Sequence, residues 1–84
     1  MRTLSRFLMP WSRPLQRPIA LKDGRTLATL ADARAVMQSL PAGRQRSEPW
    51  FYVGALLQEA ATFHGTIGET QAHLTQALRL EGLI

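Results

Sequence analysis

The side chains best suited to acid–base or metal chemistry are two histidines, His64 and His73. Glu69 and His73 stand four residues apart, a spacing that brings two side chains together on one helix face and predicts a surface pair. A metal site needs a third ligand, and His64 is expected at the far end of the preceding helix. The 84 residues contain no cysteine, no HExxH motif and no carboxylate cluster with calcium-loop spacing. The sequence therefore predicts no catalytic residues, metal or cofactor, and the protein is expected not to be an enzyme.

The strongest polar candidate for binding is the pair Arg44 and Arg46, just before a predicted helix start at Ser47. Guanidinium groups beside a helix N-terminus can hold a phosphate or carboxylate, and neighbouring aromatic side chains can stack on bases. A loop between helices is also commonly polar because it is solvated, and Glu48 already supplies the negative charge that a helix start favours. Both interpretations stay open.

The formal net charge of +4 is concentrated near the N-terminus. Residues 1–17 carry four arginines and no acidic residue, whereas the charges of residues 18–84 cancel. Those arginines are Arg2, Arg6, Arg13 and Arg17. A basic arm on a neutral body favours a nucleic-acid partner only weakly. The alternative function is therefore a small nucleic-acid-associated regulator that uses the arm together with Arg44 and Arg46.

Prolines recur every four residues in this arm, at Pro10, Pro14 and Pro18, and they exclude a continuous helix. We expect residues 1–17 to be a flexible or loosely docked arm, irregular or edge-like near residues 13–18. A single domain is expected over residues 18–84. Met9 is an alternative start of translation. No apolar run approaches the roughly 18 residues that a membrane-spanning helix needs.

The hydrophobic pattern predicts an α+β domain in which an N-terminal β-hairpin packs on three α-helices (ββααα). The hairpin is expected over residues 18–29. A three-residue loop, Lys22–Gly24, places the apolar side chains of Ile19, Leu21 and Leu27 on one face. Each helix has its own start and stop signals, with a loop over residues 41–46. The first helix is predicted to start at Thr29, with Asp32 completing a capping box, and to end at Pro41. The second is predicted to start at Ser47 and to end near His64. The third is predicted to start at Thr66, with Glu69 completing a capping box, and to end at Gly82.

The second predicted helix begins with Trp50, Phe51 and Tyr52, which point to three different sides because successive helical residues are about 100° apart. A helix that is apolar on all sides must be covered on all sides by other parts of the protein or by a partner. The surplus aromatic side chain is either covered by the arm, with Trp11 the natural candidate, or exposed to a second copy or a protein partner. The predicted interaction surface is thus Trp11, Trp50, Phe51 and Tyr52. The leading predicted function is a small non-enzymatic protein-interaction or accessory module.

Several short motifs follow one another along this chain in an order that is also found in other proteins. They are Trp11 and Pro14, Pro18-Ile-Ala-Leu with a DGR turn, Asp32-Ala33, Leu40-Pro41, an aromatic-led second helix ending at Gly65, and Ala77…Glu81-Gly82. Over residues 11–84 the chain resembles a family of short (about 80-residue) bacterial proteins of unknown function, mainly from rhizobia and related alphaproteobacteria. That family's pattern has a cysteine and an Ala-Arg pair where this chain has Glu59 and Thr70-Gln71, so the chain would be a divergent member. The resemblance implies a cytoplasmic single domain and no catalytic residues to carry over.

Overall fold

The computed structural model describes residues 9–63 and 66–84. Predictions that concern Arg2, Arg6, His64 and Gly65 lie outside the described residues. A 3₁₀ helix (Met9–Ser12) precedes two strands, β1 (Pro14–Ala20) and β2 (Thr26–Thr29). The helices, in chain order, are α1 (Leu30–Gln38), α2 (Ala42–Gln45), α3 (Glu48–Phe63) and α4 (Ile67–Leu80). A hairpin followed by helices confirms the α+β class.

The register of the hairpin places its apolar residues on one face. Ile19 pairs with Leu27, and the Leu21 N–H donates to the Arg25 carbonyl at 2.8 Å. Ile19, Leu21 and Leu27 are all buried. Gly24 has φ of 96°, the left-handed conformation that a three-residue loop requires at that position. The predicted three-residue loop is therefore confirmed, as is the placement of these three apolar side chains on one face.

A local polar contact supports this turn. The backbone N–H of Arg25 donates to one oxygen of the Asp23 carboxylate at 3.0 Å, and its side-chain Nε donates to the other at 2.7 Å. The hydrogen bond from the Arg25 side chain favours the ionised carboxylate and lowers the pKa of Asp23. Both side chains are about half exposed, so the contact shapes the turn and adds little stability.

The first strand begins earlier than the sequence predicts. Pro14 pairs with Thr29, and the register shifts before Ile19, so residues 14–17 of the predicted arm belong to the strand. The backbone of Arg17 is held instead by the Gln71 side chain. Its N–H donates to Oε1 at 3.3 Å and its carbonyl accepts from Nε2 at 3.0 Å. At the register shift, the backbone of Arg17 thus finds its hydrogen bonds on α4.

Replacing Gln71 by methionine should lower the free energy of unfolding by about 1–3 kcal/mol, because two partly buried backbone groups of Arg17 would lose their partner. Methionine keeps the volume and the helix propensity of glutamine. Gln76→Met on the same helix is the matched control, since Gln76 is exposed. Urea unfolding followed by circular dichroism measures both variants. Equal stabilities of the two variants would contradict the role of Gln71 as a clamp.

Of the two predicted capping boxes, one forms and the other does not. Thr29 and Asp32 form the predicted capping box, with the Asp32 N–H donating to Thr29 Oγ1 at 3.2 Å and the Thr29 N–H to Asp32 Oδ2 at 3.1 Å. Thr66 is the N-cap of α4, but its side chain makes no capping hydrogen bond. Its carbonyl accepts from both the N–H and the hydroxyl of Thr70. The second predicted capping box, with Glu69, is therefore wrong.

The end of α4 follows its sequence signal. Gly82 has φ of 78°, its N–H donates to the Arg79 carbonyl, and the Leu83 N–H donates to the Leu78 carbonyl at 2.9 Å. This pair of bonds is the Schellman arrangement that glycine permits. Leu83 then packs against the core, and its carbonyl accepts from the Lys22 N–H at 2.7 Å. The C-terminus is thereby fastened to the hairpin turn.

The predicted loop over residues 41–46 contains a single helical turn, α2, so the described residues hold four helices rather than three. Pro41 precedes this turn with φ of −55°, which is already suited to a helix start. The Gln45 side chain donates to the carbonyls of Gln38 and Leu40. That contact folds the turn back against the end of α1, a preference that helical periodicity does not reveal.

Candidate functional site

Among the described residues, the large apolar side chains that are most exposed lie along one groove. Phe51 is 73% exposed, Tyr52 is 46% exposed and Leu80 is 67% exposed. All three line a groove of about 500 Å³ between the start of α3 and the end of α4. The other residues lining this aromatic groove are Glu48, Pro49, His73, Gln76 and Ala77.

The direction of each aromatic side chain follows from helical geometry. Trp50, Phe51 and Tyr52 leave α3 about 100° apart. The core lies on the Trp50 side, where that ring is 1% exposed, so its two neighbours face outward. The placement of Trp50 corrects its assignment to the predicted interaction surface: it belongs to the core.

Tyr52 and His73 both line the aromatic groove and contact each other. Their rings meet edge-on, with centroids 4.8 Å apart and planes at 83°. This arrangement is the favourable one for two aromatic rings. His73 was expected to pair with Glu69 along α4, but its ring packs against α3 instead. The contact fixes the position of the Tyr52 ring across two helices.

A second hollow adjoins the aromatic groove on the other side of Phe51. It has a volume of about 380 Å³ and lies between α1 and α3. The residues lining this α1–α3 notch are Met37, Gln45, Trp50, Phe51, Gly54, Ala55 and Gln58. Phe51 lines both cavities, so its ring stands as a ridge between them.

Trp11, the remaining member of the predicted surface, is half-buried on another part of the fold. Its ring packs against the core, and the guanidinium carbon of Arg34 lies 4.1 Å from the ring centroid. This is a cation–π contact between the 3₁₀ helix and α1. Trp11 lines neither cavity beside Phe51, so it does not cover the exposed aromatic side chains.

The predicted anion-binding arginines are not collected in one place. Arg44 donates to Glu81 Oε1 at 2.9 Å, near the start of α3, whereas Arg13 donates to the Ala60 carbonyl at 3.0 Å, near its end. Trp50, which binds the same Glu81 oxygen as Arg44, lies ten residues before Ala60 on α3, so a helical rise of 1.5 Å per residue puts the two anchors roughly 15 Å apart. Arg17 and Arg46 are both exposed. The Arg44 side chain is thus already paired with the Glu81 carboxylate.

Glu81 links three elements and was missed by the sequence analysis. Its Oε1 accepts from both Arg44 and the Trp50 indole N–H, the latter at 3.2 Å, and only 12% of its side chain is exposed. Leu80 was missed as well. Its signal was present, because His73, Gln76 and Leu80 recur at helical spacing on α4.

The described residues hold no group of three or more histidine, aspartate and glutamate side chains placed to bind a metal ion. No helix within the described ranges is long and apolar enough to cross a membrane. No protein-family model, curated protein or solved structure matches the chain. The resemblance to short alphaproteobacterial proteins therefore stays a prediction, and function must be argued from the groove itself.

Proposed function

We propose that this protein is a small non-enzymatic interaction module that binds another protein chain through the aromatic groove. The observation that carries the proposal is the clustering of Phe51, Tyr52 and Leu80, all well exposed, along one groove. Scattered apolar side chains are ordinary on a protein surface, but a contiguous aromatic patch beside a groove is typical of an interface. Aromatic anchors of this kind contribute most of the binding energy in protein complexes.

The polar rim of the groove supports the same proposal. Glu48 and Gln76 border the apolar floor, so a protein partner would find hydrogen-bonding groups around an apolar centre. We retain the family resemblance, and the cytoplasmic location it implies, as part of this proposal. The alternative, a nucleic-acid-associated regulator, has weaker support because Arg44 is ion-paired and Arg13 lies toward the opposite end of α3.

Site-specific photocrosslinking tests the proposed function. A benzophenone amino acid placed at Leu80 or Tyr52, in cells that make the protein, should give discrete protein adducts. The same amino acid at Thr26, an exposed residue of β2, should give none. Adding Phe51→Asp to the Leu80 chain should remove the adducts, because the charge lies at the edge of the groove. Absence of adducts at both groove positions, or equal adducts at Thr26, would contradict the proposal.

A further inference from the structure

We infer that residues 1–8 of this chain occupy the α1–α3 notch, with the Phe7 ring against Met37. The occupant of the notch is thus a segment of the same chain rather than a separate partner. The aromatic groove lies on the other side of Phe51, so this inference goes beyond the proposed function and does not rest on it.

The described chain begins beside the two helices that form the notch. The 3₁₀ helix (Met9–Ser12) contacts both α1 and α3. Directly after it, Arg13 is anchored to the same two helices. Its carbonyl accepts from the Leu30 N–H at 3.0 Å, and its side chain donates to the Ala60 carbonyl at 3.0 Å. The residues that precede the 3₁₀ helix are therefore attached at the cleft between α1 and α3.

The course of the chain along α1 leads toward the notch. The Arg13 carbonyl contacts Leu30, the first residue of α1. Two residues earlier in the chain, the Trp11 ring contacts Arg34, about one turn further along α1. The next turn of α1 brings Met37, which lines the notch. A chain that continues in this direction beyond the 3₁₀ helix therefore arrives at the notch.

The segment is long enough to fill the notch. On α3, Gly54 lies six residues before Ala60, so the notch is roughly 9 Å along the helix from the carbonyl that anchors the arm. Phe7 precedes Trp11 by four residues, which span up to about 14 Å when extended. The Phe7 side chain can therefore reach the notch while the Trp11 ring keeps its place on Arg34.

The lining of the notch suits an aromatic side chain. None of its lining residues is charged, and its volume of about 380 Å³ accommodates a phenyl ring. A Cβ at Gly54 would lie 3.5 Å from the Met37 sulfur, so the glycine leaves the thioether close to the notch surface. Sulfur–aromatic contacts are favourable, and a methionine adapts to an entering ring.

The sequence of the segment supplies such a side chain. Leu4, Phe7 and Leu8 recur at a spacing that places them on one side of a helical turn, opposite Arg2 and Arg6. With this apolar side in the notch, both arginines face solvent and their charges stay hydrated.

A spin label tests the inference in the full chain. The sequence contains no cysteine, so Ser5→Cys provides a single attachment site for a nitroxide. The label should broaden the NMR amide signals of Gly54 and Gln58. Adding Phe7→Asp should lower the ratio of docked to free segment by about tenfold or more, because the burial of a phenyl ring is lost.

Thr3→Asp is the matched control, since it adds the same charge to the same segment and should leave the broadening unchanged. The amide spectrum of residues 14–84 reports folding in every variant. A tethered label that does not dock would give the same broadening with and without Phe7→Asp. That result, or no broadening at all, would overturn the inference.

A change on the notch side provides the second test. Gly54→Leu fills the hollow and should remove the broadening at Gln58, whereas Ala72→Leu, at an exposed position of α4, should not. The inference would be wrong if the Gly54→Leu chain kept the broadening.

A mixed sample separates a chain's own segment from that of a second copy. Spin-labelled chain without isotope is mixed with isotope-enriched chain without label, so any broadening arises between molecules. Sharp signals at Gly54 support the inference, and broadening equal to that within one chain overturns it in favour of an exchanged segment. None of these variants alters a residue that lines the aromatic groove, so the photocrosslinking test of the proposed function is decided separately.

Discussion

Trp50→Ala should lower the free energy of unfolding by about 3–5 kcal/mol, the usual cost of truncating a buried aromatic side chain. The ring is 1% exposed and heads the largest fully buried side chains of the described core. An 84-residue domain has a total stability of about 4–13 kcal/mol. The substitution would therefore remove a large fraction of the total stability, and it would unfold the protein if that total lies at the lower end of this range. Urea unfolding followed by circular dichroism measures the change.

Phe51→Ala is the matched control for this experiment. The two aromatic residues are adjacent in sequence, but Phe51 is 73% exposed, so its truncation should change the stability of the monomer by less than about 0.5 kcal/mol. Comparable losses for the two variants would contradict the orientation of α3 described above.

Glu81→Ala is expected to lower the free energy of unfolding by about 1–3 kcal/mol. The same carboxylate oxygen accepts from the Trp50 indole and from Arg44. Its removal would leave the indole N–H of a buried ring without its partner, and an unmade buried hydrogen bond costs the full desolvation of that group. The loss should be smaller for Glu81→Gln, whose amide oxygen can still accept from the indole.

Comparison of the two Glu81 variants separates the hydrogen bond from the charge. Arg44 has 60% of its side chain exposed, so the ion pair should contribute little, and less still at high salt. Glu81→Gln should therefore lie close to wild type in urea unfolding at both low and high salt. Equal destabilisation by Gln and Ala would show that the charge, rather than the indole contact, makes Glu81 important.

Local features of the fold were predictable because their causes lie within a few residues. The loop Lys22–Gly24 follows from the need to put Ile19, Leu21 and Leu27 on one face. The start of α1 follows from the reciprocal Thr29–Asp32 bonds, and the end of α4 from the left-handed Gly82. The early start of β1 was not predictable in this way. Within this early part of β1, the backbone of Arg17 is bonded by Gln71, which lies 54 residues away along the chain.

The candidate site was only half predictable. The sequence left open whether the surplus aromatic side chain on α3 is covered by the arm or exposed to a partner, and in the structure Phe51 and Tyr52 line the exposed groove. It also placed Arg44 and Arg46 next to α3, which left open either an anion site there or a solvated loop. Periodicity fixes the angle between neighbouring side chains but not the direction in which the core lies.

The sequence by itself determined the fold class, the hairpin loop, the first capping box and the surplus of aromatic surface on α3. Only the tertiary structure decided that Trp50 faces inward, that Leu80 and His73 complete the groove, and that Glu81 binds both Arg44 and Trp50. The physical reason is the distance along the chain over which each kind of interaction acts. Caps, turns and periodicity act over about four residues, whereas burial depends on which distant elements pack together and leave one side of a helix uncovered.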